Sequence, residues 1–318
     1  MSATPTTSGA FVERLRRHAG LAQGAGGTEA SPAVPAPTLV QRNQLAFWNS
    51  PVARACINRR ITGDPQLAPE TYFPRRHGPS LPAPTALSLR ASNTKLEVAL
   101  LESGPCERVI GLHEDQERVD YANSKVPEPM RAQISFQVGD ISSWTPPEPL
   151  GAVMTRSALH RLADLDGVLD RIASMLVPKG LIFVDDYVGP ARSQWSDEQI
   201  EIINRLLDRL PDELLVDLTN SQGELKRLVG RPSLEGWVAA NPHEMVCSDE
   251  IIPGLDARFE RVEVSLYGGA VFHQLFSRIM GNFAPRPELV EVLMETDALL
   301  TDKGAVSSDY VWGVWRRG

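Results

Sequence analysis

The stretch TALSLRASNTKLEVALLESGPCERVIGLH, residues 85–113, decides how the rest of the chain is read. Thr85 to Leu89 is a short apolar run, Arg90 to Thr94 a polar turn, and Lys95 to Glu102 a helical pattern closed by Gly104-Pro105. Arg108 to Leu112 is the next strand. Beyond it, Asp115 to Lys125 mixes charged residues with Val119 and Ala122 as a helix would, Ile134 to Val138 reads as a third strand, and Gly139-Asp140 turns away from it. Strands alternating with helices predict an α/β sheet.

The same alternation continues towards the C-terminus. Gly151 to Thr155 reads as a fourth strand running into Arg156-Ser157-Ala158-Leu159-His160. From Asp164 a helix carries Leu165, Val168, Leu169, Ile172, Met175 and Leu176 on one face; Pro178-Lys179-Gly180 stops it, and Leu181 to Val184 is a fifth, fully apolar strand. Ser196-Asp197-Glu198-Gln199 has the form of a capping box in which Gln199 reaches back to the helix start, and the helix ends at Pro211. Residues 212–247 form an insertion with Leu225, Leu228 and Trp237 as expected buried anchors, placed over the carboxyl ends of the strands. Arg258 to Tyr267 alternates as a half-exposed antiparallel strand does, helices are expected at about 271–282 and 288–301, and Asp309 to Trp315 is the final strand. Upstream, Leu39 to Phe47 is helix-compatible, and Ser50-Pro51 opens a second helix running to about Asp64.

Composition narrows the function classes. A chain of 318 residues that is 42% hydrophobic can bury a full core. Its net charge of −8 argues against a phosphate-backbone partner, so no nucleic acid is expected. Cys56, Cys106 and Cys247 form no C-x-x-C pair, which leaves a zinc site unsupported, so no metal is expected, and points to a reducing, cytoplasmic setting. No apolar run approaches the roughly 18 residues a membrane span needs. There is no G-x-S-x-G elbow, phosphate loop or H-E-x-x-H.

The strand–turn–helix order, the segment Ser157-Ala158-Leu159-His160, the turn Leu176-Val177-Pro178-Lys179-Gly180 and the run Asp185-Asp186-Tyr187-Val188-Gly189-Pro190 together resemble the class I S-adenosylmethionine-dependent methyltransferase family, in its bacterial small-molecule branch. The resemblance covers roughly residues 45 to 317. It implies a Rossmann-like seven-stranded sheet, mostly parallel with the last strand antiparallel, and S-adenosylmethionine as cofactor. It divides the chain into a disordered arm at 1–37, a helical cap at 38–80 and a methyltransferase-like domain at 81–318 with a lid insertion at about 191–250.

The resemblance also marks site positions. In the family the first loop is a glycine-rich G-C-G-x-G turn, and here Arg90-Ala91-Ser92-Asn93-Thr94 stands in its place. Arg90 is expected to put a side chain into the cofactor's space, while Ser92 and Thr94 occupy positions that call for positive φ, so a loop of another shape is expected. His113 aligns with the acid that accepts from both ribose hydroxyls, and neutral imidazole has only one acceptor. Asp140 matches the adenine-contacting acid or else caps its own turn.

On the acceptor side, His160, Asp186 and Tyr187 are the candidate catalytic residues at the ends of the fourth and fifth strands. His160 would deprotonate an acceptor and Tyr187 orient it; helix capping, an arginine pair for Asp186 and lid packing for Tyr187 are the structural alternatives. The eroded loop favours a pseudo-methyltransferase that binds a small-molecule ligand or a protein partner. The alternative is an active small-molecule methyltransferase with a remodelled loop. Arg90 and His113 together predict that an anion is favoured where the ribose sat.

Overall fold

The computed structural model describes residues 46–90 and 94–318. The expected arm at 1–37, the first residues of the helical cap and Ser92 lie outside the described residues.

Seven strands form one sheet: β1 Thr85–Leu89, β2 Arg108–His113, β3 Ile134–Val138, β4 Leu150–Arg156, β5 Leu176–Tyr187, β6 Glu260–Gly268 and β7 Tyr310–Arg316. Their order is β3-β2-β1-β4-β5-β7-β6, with β7 antiparallel to both neighbours and the other pairings parallel. Every residue of β1 is buried, as a central parallel strand covered on both faces requires. One face packs Phe73, Phe183 and Trp312 into the core, and the other packs Leu87, Val153, Ile182 and Trp315.

Local chemistry sets the element ends. Helix α1, Pro51–Thr62, begins where the Ser50 hydroxyl accepts from the Ala53 N–H and ends on Gly63 at φ 81°. Helix α2 is Pro69–His77. Helices α3, Lys95–Ser103, and α4, Gln116–Lys125, make the crossovers on either side of β2, and Asp115 caps α4 by accepting from the Glu117 N–H at 2.8 Å. Helix α5, Leu165–Met175, is capped by Asp164.

Four expectations are corrected. The Pro178-Lys179-Gly180 turn lies inside a longer, irregular β5, with Lys179 at φ 65° where a glycine would be unstrained. Ser196 does cap helix α6, Asp197–Leu207, but Gln199 does not reach back; buried in the interior, its amide donates to the Ala270 carbonyl at 2.7 Å. The helix expected over 271–282 breaks after α7, Phe272–Phe276, because Lys226 Nζ takes the carbonyls of Gln274, Leu275 and Ser277. In the 212–247 insertion the buried anchors are Leu214, Leu215, Val216, Leu218, Lys226, Val229 and Cys247, whereas Leu225, Leu228 and Trp237 are only half-buried.

The end of β6 depends on one carboxylate. Asp297, on helix α8 Pro287–Asp302, is fully buried and accepts from the N–H groups of Gly269 and Val271 at 2.8 and 2.6 Å. A Cβ on Gly268, at φ 94°, would lie 2.1 Å from its Oδ2, so glycine is required there. Burial raises the Asp297 carboxyl from 3.8 to about 6 against the lowering effect of those N–H groups. The folded chain therefore keeps a proton that the unfolded chain releases over this window; that stabilisation is complete below 3.8 and is lost as pH rises through about 6. In urea titrations the midpoint of the wild type minus that of Asp297→Asn should fall between about pH 4 and pH 7. A pH-independent difference would overturn this assignment.

Candidate ligand-binding site

A cavity of about 760 Å³ opens at the carboxyl ends of β1, β2, β4 and β5, where the strand order reverses between β1 and β4. Helices α1 and α2 form its roof through Arg54, Asn58 and Glu70, and the insertion supplies Glu244.

The two described ends of the loop after β1, Arg90 and Thr94, have backbone angles suited to glycine. Arg90 and Thr94 both stand at φ 57°, in the left-handed region, which costs an L-residue roughly 1 to 2 kcal/mol each. Thr94 is held there by its hydroxyl, which donates to the Lys125 carbonyl at 3.1 Å. The Arg90 N–H is spent on the Leu112 carbonyl at 2.9 Å, and its guanidinium lines the cavity with Nη1 3.5 Å from the exposed Glu114 carboxylate. Thr94 is buried and does not line the cavity.

His113, at the end of β2, also lines the cavity. Its Nδ1 accepts from the Asp115 N–H at 3.0 Å, while burial first and the Arg90 charge second push the imidazole below its ordinary range. The ring is therefore neutral with its proton on Nε2, and offers the cavity a donor and no acceptor. Asp140 does not line the cavity. It is exposed and caps its own turn, accepting from the Ser142 N–H at 2.9 Å and the Ser142 hydroxyl at 2.6 Å, contacts that hold its carboxyl below the ordinary value.

At the ends of β4 and β5 the sequence candidates fall together. The buried Asp186 carboxylate accepts from the N–H groups of Ala158 and Leu159, both at 2.9 Å, and of Tyr187 at 2.8 Å, and also meets His160 Nδ1. His160 Nε2 lies 3.2 Å from Glu244, which also pairs with Arg161. Both ring nitrogens thus face carboxylates. Of the three residues only Asp186 lines the cavity. Tyr187 is buried, packed edge-on against Tyr310 and His273. Asp186 pairs with a histidine, not with an arginine.

Sequence reading missed the polar wall beside this cluster. Asp185 Oδ1 accepts from the Tyr267 hydroxyl at 3.0 Å, and Arg156 stands 3.7 Å from its other oxygen. Burial raises the Asp185 carboxyl, opposed by Arg156 and Tyr267. On the β1 side Ser88 donates to the buried Glu97 at 2.5 Å. All five residues line the cavity. The Asp185-Asp186 pair was the available signal, but Tyr267 arrives from a strand 82 residues away. Replacing Asp186 with Ala strips an acceptor from three buried N–H groups and a histidine, so urea unfolding should register a loss of roughly 3 to 5 kcal/mol. A loss below about 1 kcal/mol would show that the cluster bears no structural weight.

Residues 92–184 match the methyltransferase domain family. Among solved structures, the 4+2 cyclase SpnF aligns at 14% identity and TM-score 0.44, over 90% of this chain and 98% of that one. A S-adenosylmethionine-dependent methyltransferase from Mesorhizobium loti aligns at 16% identity and TM-score 0.46, over 79% of this chain and 98% of that one. A geranyl diphosphate methyltransferase in complex with S-adenosylmethionine aligns at 14% identity and TM-score 0.46, over 82% and 90%. No curated protein matches the sequence. Residues 92–184 thus match the methyltransferase domain family, and the strand order β3-β2-β1-β4-β5-β7-β6 with β7 antiparallel is a Rossmann-like methyltransferase fold.

Proposed function

We propose that this protein is a pseudo-methyltransferase: a ligand-binding or partner subunit whose cavity still admits S-adenosylmethionine, the cofactor of its family, but grips it too weakly for turnover. His113 carries this reading. The ribose hydroxyls of the cofactor are donors that need an acceptor at the end of β2, and His113 presents N–H because its Nδ1 is taken by the Asp115 amide. Losing a charge-assisted pair there costs roughly 1.5 to 3 kcal/mol, about ten- to a hundred-fold in affinity. Arg90 adds a guanidinium to the same wall, and Asp140 is committed to its own turn.

Calorimetric titration of the full chain with S-adenosylmethionine and S-adenosylhomocysteine tests this. Binding is expected to be weak, and Arg90→Gly, Ser92→Gly, Thr94→Gly and His113→Asp combined should tighten it at least tenfold, about 1.4 kcal/mol. A quadruple variant that folds and still ignores the cofactor would show that these positions are not the cause.

One observation favours a second reading, an active small-molecule methyltransferase. Asp185, Tyr267 and Arg156 form a polar wall inside the cavity that would orient a hydroxyl- or amine-bearing acceptor, and methyl transfer needs alignment more than a dedicated base. A methylated product formed by the wild type and lost in Asp185→Asn would establish this reading and overturn the first.

A further inference from the structure

At the β1–β2 end of the cavity, groups of one kind converge. Arg90 follows β1, His113 ends β2, Arg118 lies on α4 and Arg161 follows β4, and all four line the cavity. They are close enough for their charges to act on one another: Arg161 and Arg118 both depress the Arg90 guanidinium, after burial, and Arg90 and Arg118 depress His113.

The acids nearby do not absorb this charge. Glu114, two-thirds exposed, stands 3.5 Å from Arg90, the exposed Asp115 beside His113 is engaged in capping α4, and Glu244 pairs with Arg161 while also meeting His160. Arg118 has no ion-pair partner among the described residues, and the Arg161 Nε–H is buried without an acceptor among them. Ala91, Ser92 and Asn93, the residues between Arg90 and Thr94, bring no charged side chain.

We infer that this end of the cavity is an anion subsite, in which Arg90, Arg118, Arg161 and the His113 Nε2–H receive a phosphoryl group carried on the ribose of a nucleoside ligand. The inference rests on the reading that the cavity takes a nucleoside, and it reverses the sign of the recognition: the ligand group at the end of β2 must accept hydrogen bonds. A phosphoryl group fits because its oxygens match the planar guanidinium fork and can also accept from the His113 Nε2–H. The His113 donor does not depend on acid conditions, because the Asp115 amide fixes the tautomer.

The experiment is calorimetric titration of the full chain with adenosine, adenosine 2′-monophosphate, adenosine 3′-monophosphate and pyrophosphate. At least one phosphorylated nucleoside should bind at least about tenfold more tightly than adenosine, with a gap that narrows as salt is raised. The double variant Arg90→Gln, Arg118→Gln should cut the gap between the phosphorylated nucleoside and adenosine to under about threefold; both side chains are cavity-lining and neither is fully buried, so the fold should survive. His113→Asp should invert the order, favouring adenosine over its phosphates. Equal binding of adenosine and both phosphates, or a gap that persists in the double variant, overturns the subsite. If no nucleoside binds, the nucleoside reading fails by itself. The pyrophosphate titration then decides: heat that the double variant loses retains an anion subsite without a nucleoside, and no heat rejects it.

Discussion

The Asp186 carboxylate is the contact on which the geometry of the cavity depends. It sits at the end of β5 yet takes the N–H groups of Ala158 and Leu159 in the turn after β4, so it ties two neighbouring strand ends at one buried point. Through His160 it reaches Glu244 and Arg161, and so fixes the insertion against the same strand ends. A backbone turn buried here without that acceptor would leave several donors unsatisfied, at roughly 1 to 3 kcal/mol apiece. This is why the histidine and aspartate that look catalytic in sequence are better explained as the fastening of a wall.

What remains on the cavity surface divides into two chemical halves. Beside β4 and β5 are Asp185, Tyr267 and Arg156, a mixed polar group whose carboxylate is largely shielded from water. Beside β1 and β2 are Arg90, His113, Arg118 and Arg161, all hydrogen-bond donors. A ligand lying across both halves meets hydrogen-bond donors at one end and a carboxylate at the other, so its orientation is set by charge as much as by shape. The left-handed Arg90 and Thr94 fit this arrangement. These two positions hold backbone angles suited to glycine and tolerate the strain, while the Arg90 side chain adds a charge that glycine lacks.

Much of the fold was legible before any coordinates. Apolar runs of four or five residues separated by helical periods mark β1 to β5, and Ser50, Asp115 and Ser196 stand at helix starts, because these signals are local: a strand buried on both faces must be apolar, and a helix start needs an acceptor. The loss of glycines at 90, 92 and 94 and of an acid at 113 was equally plain. Tertiary structure decided how those residues are used. Whether Gln199 caps its helix or bonds Ala270 depends on a carbonyl 71 residues away, and Lys226 ends a helix some 50 residues beyond it. The His113 tautomer follows from one backbone amide that the strand end aims at its ring, and Asp140 is withdrawn from the cavity by its own turn. Sequence determined which groups are present and which elements carry them; the long-range hydrogen bonds, formed only when the strand ends come together, determined which groups are left free to meet a ligand.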